Sequence, residues 1–216
     1  MGGTGSQSQG RPRGRPRDQD SAATRQRLLC EARQLFARSG YDATSNRAIA
    51  TAADMTNGAI YHYFPSKAEL YAAVYEEVFD RVFTEFEMAV VDQGTLVAQY
   101  AAVLDAADRL NREDPVLAAF VVGVASDAQR HPELAHLLRP LYRRNVRFFR
   151  NLVAAAAERG ELHPDVDQRA VEDLLNAVVS GLARLSAITG DARRHAAAVD
   201  ALRQFLAGTL LRSAPA

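Results

Sequence analysis

Apolar residues recur every three or four positions through most of the chain, which is the spacing of one face of a helix. No stretch alternates apolar and polar residues as a half-buried strand does. The first predicted helix ends at Gly40, where a left-handed residue can close it. Two short helices should follow, one from Thr44 and one from Thr56 to about Tyr63. The apolar face of the first helix consists of Leu28, Leu29, Ala32, Leu35 and Phe36.

Cap and breaker residues mark the later helices. The sequence Ser66-Lys67-Ala68-Glu69 is a capping box that opens a long fourth helix. Further helices are predicted from Thr95 toward Leu110, from Asp114-Pro115, from Pro132 to Arg159 with a bend or break at Pro140, from Asp165 and Asp167 to near Gly190, and from about Ala192 to Arg212. The fold class is therefore all-α, with a three-helix N-terminal unit joined to a helical bundle.

The second and third helices, separated by Ala53-Asp54-Met55, form a helix-turn-helix pattern. In such motifs the second helix lies in the major groove of DNA. Small side chains at Gly58 and Ala59 would let its backbone approach the base edges. Thr44 and Thr56 are suited to N-cap their helices, which would present amide groups to phosphate oxygens.

Lys67 is the only lysine of the chain, and it lies in the first turn of the predicted fourth helix. Cations ordinarily favour the other end of a helix, because the N-terminal end of the dipole is already positive. An external anion would remove this conflict. We therefore expect Lys67 and the nearby amides to bind a DNA phosphate.

The stretch 28–72 resembles the N-terminal DNA-binding domain of TetR-type transcriptional repressors. The matching residues are Leu35-Phe36, Gly40-Tyr41, Thr44-Ser45, Ile49-Ala50, Gly58-Ala59-Ile60-Tyr61-His62-Tyr63-Phe64 and Ser66-Lys67-Ala68-Glu69-Leu70. The rest of the chain matches this family only in helix number, length and short patterns. The composition of the first residues predicts a disordered basic arm at 1–19. The resemblance implies a helix-turn-helix DNA-binding domain at 20–66 and an all-helical regulatory and dimerisation domain at 67–216.

Individual DNA contacts follow from the resemblance and from side-chain chemistry. Arg47 reads a guanine edge or contacts a phosphate, and both alternatives stay open. Asp54 stands where the family commonly has glycine, and aspartate tolerates the left-handed conformation of the turn. The resemblance implies phosphate contacts for Ser45, Asn46, Tyr61 and Tyr63, although the two tyrosines could instead pack against the first helix. The full set of candidates is Arg13, Arg15, Arg17, Thr44, Ser45, Asn46, Arg47, Thr56, Asn57, Gly58, Ala59, Tyr61, Tyr63 and Lys67.

Charge is divided unevenly along a chain that is neutral overall. Residues 1–72 carry ten basic and six acidic side chains, and the remainder carries sixteen and twenty. The N-terminal third is thus the end suited to bind an anion. Within it, Arg13-Gly14-Arg15-Pro16 resembles the core of an AT-hook, which lies in a narrow A·T minor groove. A basic tail without groove preference is the alternative.

The bundle carries candidates for regulation. Aromatic side chains of the central helices could line a pocket for a hydrophobic small-molecule effector, or could simply be core. The pocket candidates are Phe79, Phe83, Tyr100, Phe120, Tyr142 and Phe149. The last two helices resemble the four-helix dimer interface of the family, and the alternative is that they complete a monomer core. The interface candidates are Leu175, Val178, Val179, Leu182, Leu202, Phe205 and Leu206.

Several kinds of site and location are not expected. Cys30 is the only cysteine, which excludes an intramolecular disulfide and a cysteine-clustered zinc site. No apolar stretch approaches the roughly 18 residues of a membrane span, so we expect a cytoplasmic protein with no membrane partner. No metal or cofactor is expected. The stripe of Arg143, Arg147 and Arg150 is a solvated face or an anion site.

The sequence therefore predicts a ligand-responsive repressor, which binds a pseudo-palindromic operator as a homodimer and is released by a small-molecule effector. The alternative is an architectural DNA-binding protein that responds to no effector. A helical-bundle enzyme would need a clustered nucleophile, base or metal set, and the sequence has none, so no catalytic activity is expected.

Overall fold

The computed structural model describes residues 17–211, with side chains from Ser21 onward except at position 144. These residues form nine α-helices and no strand, which confirms the all-α fold class. The predicted contacts of Arg13 and Arg15 lie outside the described residues, and only the backbone of Arg17 lies within them. In chain order the helices are α1 (Arg17–Ala43), α2 (Asn46–Ala52), α3 (Asn57–Ile60), α4 (Lys67–Val90), α5 (Leu96–Glu113), α6 (Pro115–Arg130), α7 (Pro132–Glu158), α8 (Gln168–Thr189) and α9 (Ala192–Leu206).

Side-chain caps confirm several of the predicted helix starts. The Thr56 hydroxyl accepts a hydrogen bond from the Ala59 amide at 3.3 Å, at the start of α3. The Ser66 hydroxyl accepts one from the Glu69 amide at 3.1 Å, at the start of α4. Such caps satisfy amides that have no partner inside the helix. Two further caps formed as predicted are Thr95 on α5 and Asp167 on α8.

Two residues with positive φ shape the N-terminal unit. α1 is kinked at Gly40, whose φ of 74° and ψ of 176° lie outside the helical region. This conformation is nearly exclusive to glycine, so Gly40 ends the regular part of α1, but its ψ differs from that of the left-handed cap that the sequence predicts. Asp54, in the turn between α2 and α3, has a φ of 57°. The prediction that aspartate adopts the left-handed conformation there is confirmed.

Some helix bounds differ from the prediction. α7 is not split at Pro140, which lies inside a single helix from Pro132 to Glu158. Proline removes one backbone hydrogen bond. Leu138, two residues before Pro140, is buried, and Leu141, directly after it, is partly buried, so apolar packing supports the helix on both sides of the proline. α9 ends at Leu206 rather than Arg212, because Gly208 follows with a φ of 69° and provides a left-handed stop.

Two apolar clusters share the long helix α4. The first cluster packs α1, α2 and α3 against α4, α6 and the start of α7, with Phe36, Ile49 and Leu70 among its buried side chains. The second packs the C-terminal half of α4 against α5, α7, α8 and α9, with Phe86 and Leu104 buried in it. A shift of α4 within the second cluster would therefore move its N-terminal end within the first.

Candidate DNA-binding surface and regulatory cavity

The helix-turn-helix places its apolar side chains inward and its polar side chains outward. α2 and α3 contact each other, and they bury Ile49, Ala50 and Ile60 in the first cluster. Of the predicted DNA-contacting residues, Ser45, Arg47, Thr56, Asn57, Gly58 and Tyr61 are exposed, and Asn46, Ala59 and Tyr63 are half-buried. A Cβ added at Gly58 would meet no atom within 4 Å, so the backbone there faces open space. These residues form an accessible polar surface, which we call the recognition surface.

Thr44 does not belong to the recognition surface. Its side chain is buried, and its hydroxyl donates to the carbonyl oxygens of Gly40 at 2.8 Å and Leu35 at 3.2 Å. The N-cap of α2 is Ser45, whose hydroxyl accepts a hydrogen bond from the Ala48 amide at 3.1 Å. The predicted cap was thus misplaced by one residue. Thr44 instead satisfies carbonyl groups that the kink of α1 leaves without helical partners.

The Lys67 side chain also differs from the prediction. Its ammonium group donates to the carbonyl oxygens of Tyr41 at 2.8 Å and Thr44 at 3.0 Å. It lies over the Tyr41 ring, 4.1 Å from the centroid, where a cation is attracted to the aromatic face. The ammonium is therefore directed toward the end of α1. The internal carbonyls take the place of the DNA phosphate that we expected to offset the dipole of α4.

A chain of polar contacts links the N-terminal unit to the regulatory helices. Tyr71 of α4 donates to Asp127 Oδ2 of α6 at 2.9 Å, and Arg130 donates to Asp127 Oδ1 at 2.6 Å. Arg130 and His131 also face Asp42 of α1, with His131 Nε2 lying 2.8 Å from the carboxylate. Burial, and then the charge of Asp127, raise the pKa of the Tyr71 phenol, so the phenol stays protonated as a donor. No local motif marks this network, because its members come from helices far apart in sequence.

Two adjoining pockets, which we together call the cavity, lie among the central helices of the bundle. Its inner part has a volume of about 90 Å³ and reaches α9, and its outer part has about 570 Å³ and opens between α6, α7 and α8. Phe79 and Phe83 line both parts. Phe149 lines the inner part, and Tyr142 lies at the opening. Four of the six aromatic residues predicted for a pocket thus border this cavity.

Tyr100 and Phe120 lie outside the cavity, so their prediction as pocket residues needs correction. Tyr100 is buried, and its hydroxyl donates to the Leu175 carbonyl oxygen at 2.9 Å. Phe120 packs against Tyr71, with 5.2 Å between the ring centroids. Aromatic residues at helical spacing serve core and cavity alike, and the sequence pattern does not separate them. The polar lining of the cavity, which was not predicted at all, includes Asn111, Arg139, Asn145, Asn176, Arg184 and His195.

The two faces of α8 differ from the predicted arrangement. Leu175 is buried in the second cluster. Val178, Val179, Leu182, Leu202 and Leu206 pack against that cluster and are partly buried within the single chain. The outer face of α8 instead exposes Leu174 and Ile188, at 59% and 69%, with Ala177 and Gly181 between them. Of the predicted interface residues only Phe205 is largely exposed, at 59%.

Among the side chains that the structure describes, residues 21–211 except position 144, no three from His, Cys, Asp or Glu come together as metal ligands would. Within the same range, no helix combines the length and the apolar character needed to span a membrane.

Comparisons with known proteins agree with the fold. Residues 28–74 match the model of the bacterial regulatory proteins of the tetR family, and residues 96–211 match that of BetI-type transcriptional repressors, C-terminal part. The HTH-type transcriptional regulator UidR of Escherichia coli K12 is 27% identical over 195 residues, which cover 90% of this chain and 96% of UidR.

Solved structures give the same result. Salmonella enterica GusR superimposes with a TM-score of 0.70 at 32% identity, covering 87% of this chain and 95% of GusR. FadR from Bacillus subtilis, in complex with stearoyl-CoA, has a TM-score of 0.75 at 16% identity, covering 86% of this chain and 99% of FadR. At that identity, the FadR structure shows a shared fold.

The fold and the recognition surface define the class of DNA-binding transcriptional regulators with a helix-turn-helix domain and a helical C-terminal domain. The chain belongs to the TetR family of bacterial regulators. The resemblance seen in the sequence is thus confirmed, and relatives of this chain that are named transcriptional repressors include KstR of Mycolicibacterium smegmatis and ComR of Escherichia coli.

Proposed function

We propose that this protein is a ligand-responsive repressor, which binds a pseudo-palindromic operator as a homodimer and leaves it when a small molecule occupies the cavity. The observation that carries the proposal is the course of α4. Lys67 at its start donates hydrogen bonds to backbone carbonyls of the N-terminal unit. Phe79 and Phe83, further along the same helix, line the cavity. One helix therefore contacts both the DNA-binding unit and the candidate effector site.

DNA recognition is assigned to the recognition surface. Arg47 is exposed and contributes its guanidinium to a base edge, where bidentate contacts discriminate between base pairs. Asn57, Gly58 and Ala59 lie in the short α3, which is the recognition helix of the motif. Ser45, Asn46, Thr56, Tyr61 and Tyr63 are proposed to contact the phosphate backbone, and the arm at 1–19 to enter the adjacent minor groove.

Dimerisation is assigned to the outer face of α8 together with Phe205 of α9. Leu174 and Ile188 lie on one face of α8 and are both exposed, and large apolar side chains exposed on one helix face suit a contact with a second copy of the chain. Ala177 and Gly181 would let a second α8 approach closely. Two copies joined by a two-fold axis would present their recognition helices to half-sites about one turn of DNA apart.

Release follows if the effector favours a conformation with a different distance between the two recognition helices. To weaken operator binding about 100-fold, the effector must bind that conformation more tightly by about 2.7 kcal/mol. A conformation whose cavity buries more of an apolar ligand than the other can supply this difference. The FadR structure with stearoyl-CoA supports ligand binding within this fold. We also propose a cytoplasmic location, where the operator would be.

Footprinting on the DNA that flanks the gene tests this function. We expect one discrete protected palindrome. A double variant that adds negative charge to the recognition surface, Asn57→Asp with Arg47→Glu, should protect no DNA. Arg38→Glu, which changes an exposed arginine of α1, is the matched control. Broad protection without a preferred site would favour the architectural alternative over the repressor.

A further inference from the structure

The two adjoining pockets of the cavity share part of their walls and differ in chemistry. Its inner and outer parts share Phe79, Phe83 and Val121. The inner end is lined mostly by apolar side chains, whereas two arginines, Arg139 of α7 and Arg184 of α8, lie at the outer end. A molecule that occupies both parts would have an apolar body and a charged head.

The positive charge at the outer end has no acidic partner within the described part of the chain. No aspartate or glutamate is among the described residues that line either part of the cavity. Arg139 and Arg184 form no ion pair with the part of the chain that the structure describes, although arginines elsewhere do, as Arg33 does with Asp114 at 2.7 Å. An arginine at the mouth of an apolar cavity attracts a planar or tetrahedral anion, because its fork of donors fits such a group.

A buried amide adds a second polar requirement. Asn145 lines the outer part and is only 4% exposed. Its Nδ2 donates to the Tyr75 hydroxyl oxygen at 2.9 Å, but its Oδ1 is buried without a hydrogen-bond partner among the described residues. A buried acceptor without a donor is unfavourable. A ligand that carries an N–H or O–H group beside its apolar body would remove this cost.

We propose that the cavity binds an amphipathic organic anion. Its aromatic or aliphatic body lies between Phe79, Phe83 and Phe149, its anionic group lies at Arg139 and Arg184, and a donor of the ligand bonds to Asn145 Oδ1. This inference rests on the proposed function in taking the cavity as the effector site. It adds the charge and the polarity of the molecule that the site selects.

Two fluorescent probes that differ in one group test the inference. Anilinonaphthalene sulfonate has an apolar ring system, an N–H donor and an anionic sulfonate, and phenylnaphthylamine is the same molecule without the sulfonate. Full-length protein should bind the sulfonate more tightly. Arg139→Ala and Arg184→Ala should each weaken binding of the sulfonate by about fivefold, the size of a partly exposed charge pair, and change binding of the neutral probe less than twofold.

Matched variants distinguish binding at this site from non-specific electrostatic attraction and from loss of the folded structure. Arg147→Ala removes an exposed arginine of α7 that does not line the cavity, and it should leave both affinities unchanged. Asn145→Leu should weaken both probes by the same factor, since both carry the N–H donor. In the unmodified protein, added salt should weaken binding of the sulfonate and leave binding of the neutral probe unchanged. Equal affinity for the two probes, or a sulfonate affinity that is indifferent to both arginines and to salt, would overturn the inference.

Operator binding, measured on the same protein samples, distinguishes failure of the ligand proposal from failure of the proposed repressor function. If the protein binds its operator but does not prefer the anionic probe, the repressor function stands and only the ligand chemistry is wrong. If the anionic probe binds through the arginines but no DNA is bound, the ligand site stands and the proposed function fails.

Discussion

The side-chain nitrogen of Lys67 lies 2.8 Å from the carbonyl oxygen of Tyr41, and the same nitrogen donates to the Thr44 carbonyl. The contact joins the first residue of α4 to the end of α1 and the residue before the cap of α2. It therefore fixes the orientation of the helix-turn-helix on the helix that reaches the cavity. A lysine at this position stabilises the DNA-binding unit from within.

Lys67→Met keeps the length of the side chain and removes its donors and charge. We expect the free energy of unfolding to fall by about 1–3 kcal/mol, because hydrogen bonds of a charged donor to two carbonyls are lost. Urea unfolding measures this loss. Arg38→Met, on the exposed side of α1, should change stability by less than about 0.5 kcal/mol.

The salt dependence of DNA binding tests whether Lys67 also contacts a phosphate. A lost phosphate contact lowers the slope of log affinity against log salt by about one per protomer. We expect no such change for Lys67→Met, because the ammonium points toward α1. A slope lowered by one, without loss of stability, would show that Lys67 contacts a DNA phosphate. It would contradict the role of Lys67 in stabilising the DNA-binding unit from within.

Arg47→Ala tests base readout by the recognition surface. We expect the preference at one base pair of each half-site to relax by about 1–3 kcal/mol, which is the usual value of a bidentate arginine contact. Affinities for a set of operators, each with one base pair substituted, measure this effect. Weakening that is uniform over all sequences, with a lower salt slope, would instead assign Arg47 to a phosphate.

The sequence predicted the helices well where the determinants are local. Ser66 and Thr56 each cap a helix through an amide three residues ahead, so the sequence alone contains both partners. Thr44 and Ser45 are adjacent hydroxyl residues, and either can cap. The choice depends on the kink at Gly40, which brings carbonyl oxygens of α1 to Thr44. That relationship is three-dimensional.

Nonlocal contacts explain the remaining differences at the candidate site. The carbonyl partners of Lys67 lie 23 and 26 residues earlier in the chain, so no short motif links them. On α8, apolar side chains occupy both the inner face, with Leu175, and the outer face, with Leu174 and Ile188. Periodicity shows that the helix is buried on one side, but with two apolar faces it does not show which side faces a second copy.

Leu174→Arg combined with Ile188→Arg tests the proposed dimer. Charges on the outer face of α8 should convert the homodimer to a monomer and abolish operator binding, while the helical content stays the same. Sedimentation velocity measures the change in mass. Met88→Arg, which alters an exposed apolar residue of α4 away from α8 and is 58% exposed, is the matched control and should remain dimeric. A double variant that stays dimeric would place the interface elsewhere.

Tyr71→Phe tests the polar link between α4 and α6. Loss of the phenol leaves Asp127 Oδ2 without its donor at a buried site, so we expect a destabilisation of about 1–3 kcal/mol at pH 8. Urea unfolding measures this, with Tyr142→Phe, at a position 51% exposed, as a control that should be nearly neutral.

The same variant has a defined dependence on pH. Burial raises the pKa of Tyr71 in the folded state, so its contribution to stability is present below the ordinary tyrosine pKa of 10.0 and is lost as pH rises above it. The unmodified protein should therefore lose stability between pH 10 and 11 more steeply than Tyr71→Phe. Parallel curves for the two proteins would show that Tyr71 titrates normally.

Selection from a pool of random double-stranded DNA tests the central claim most directly, since it assumes no operator. The full-length protein should enrich an inverted repeat with half-sites about one helical turn apart, and Arg47→Ala should enrich the same repeat with one position degenerate in each half. A pool in which no sequence rises above its starting frequency would contradict the account of this chain as an operator-reading regulator.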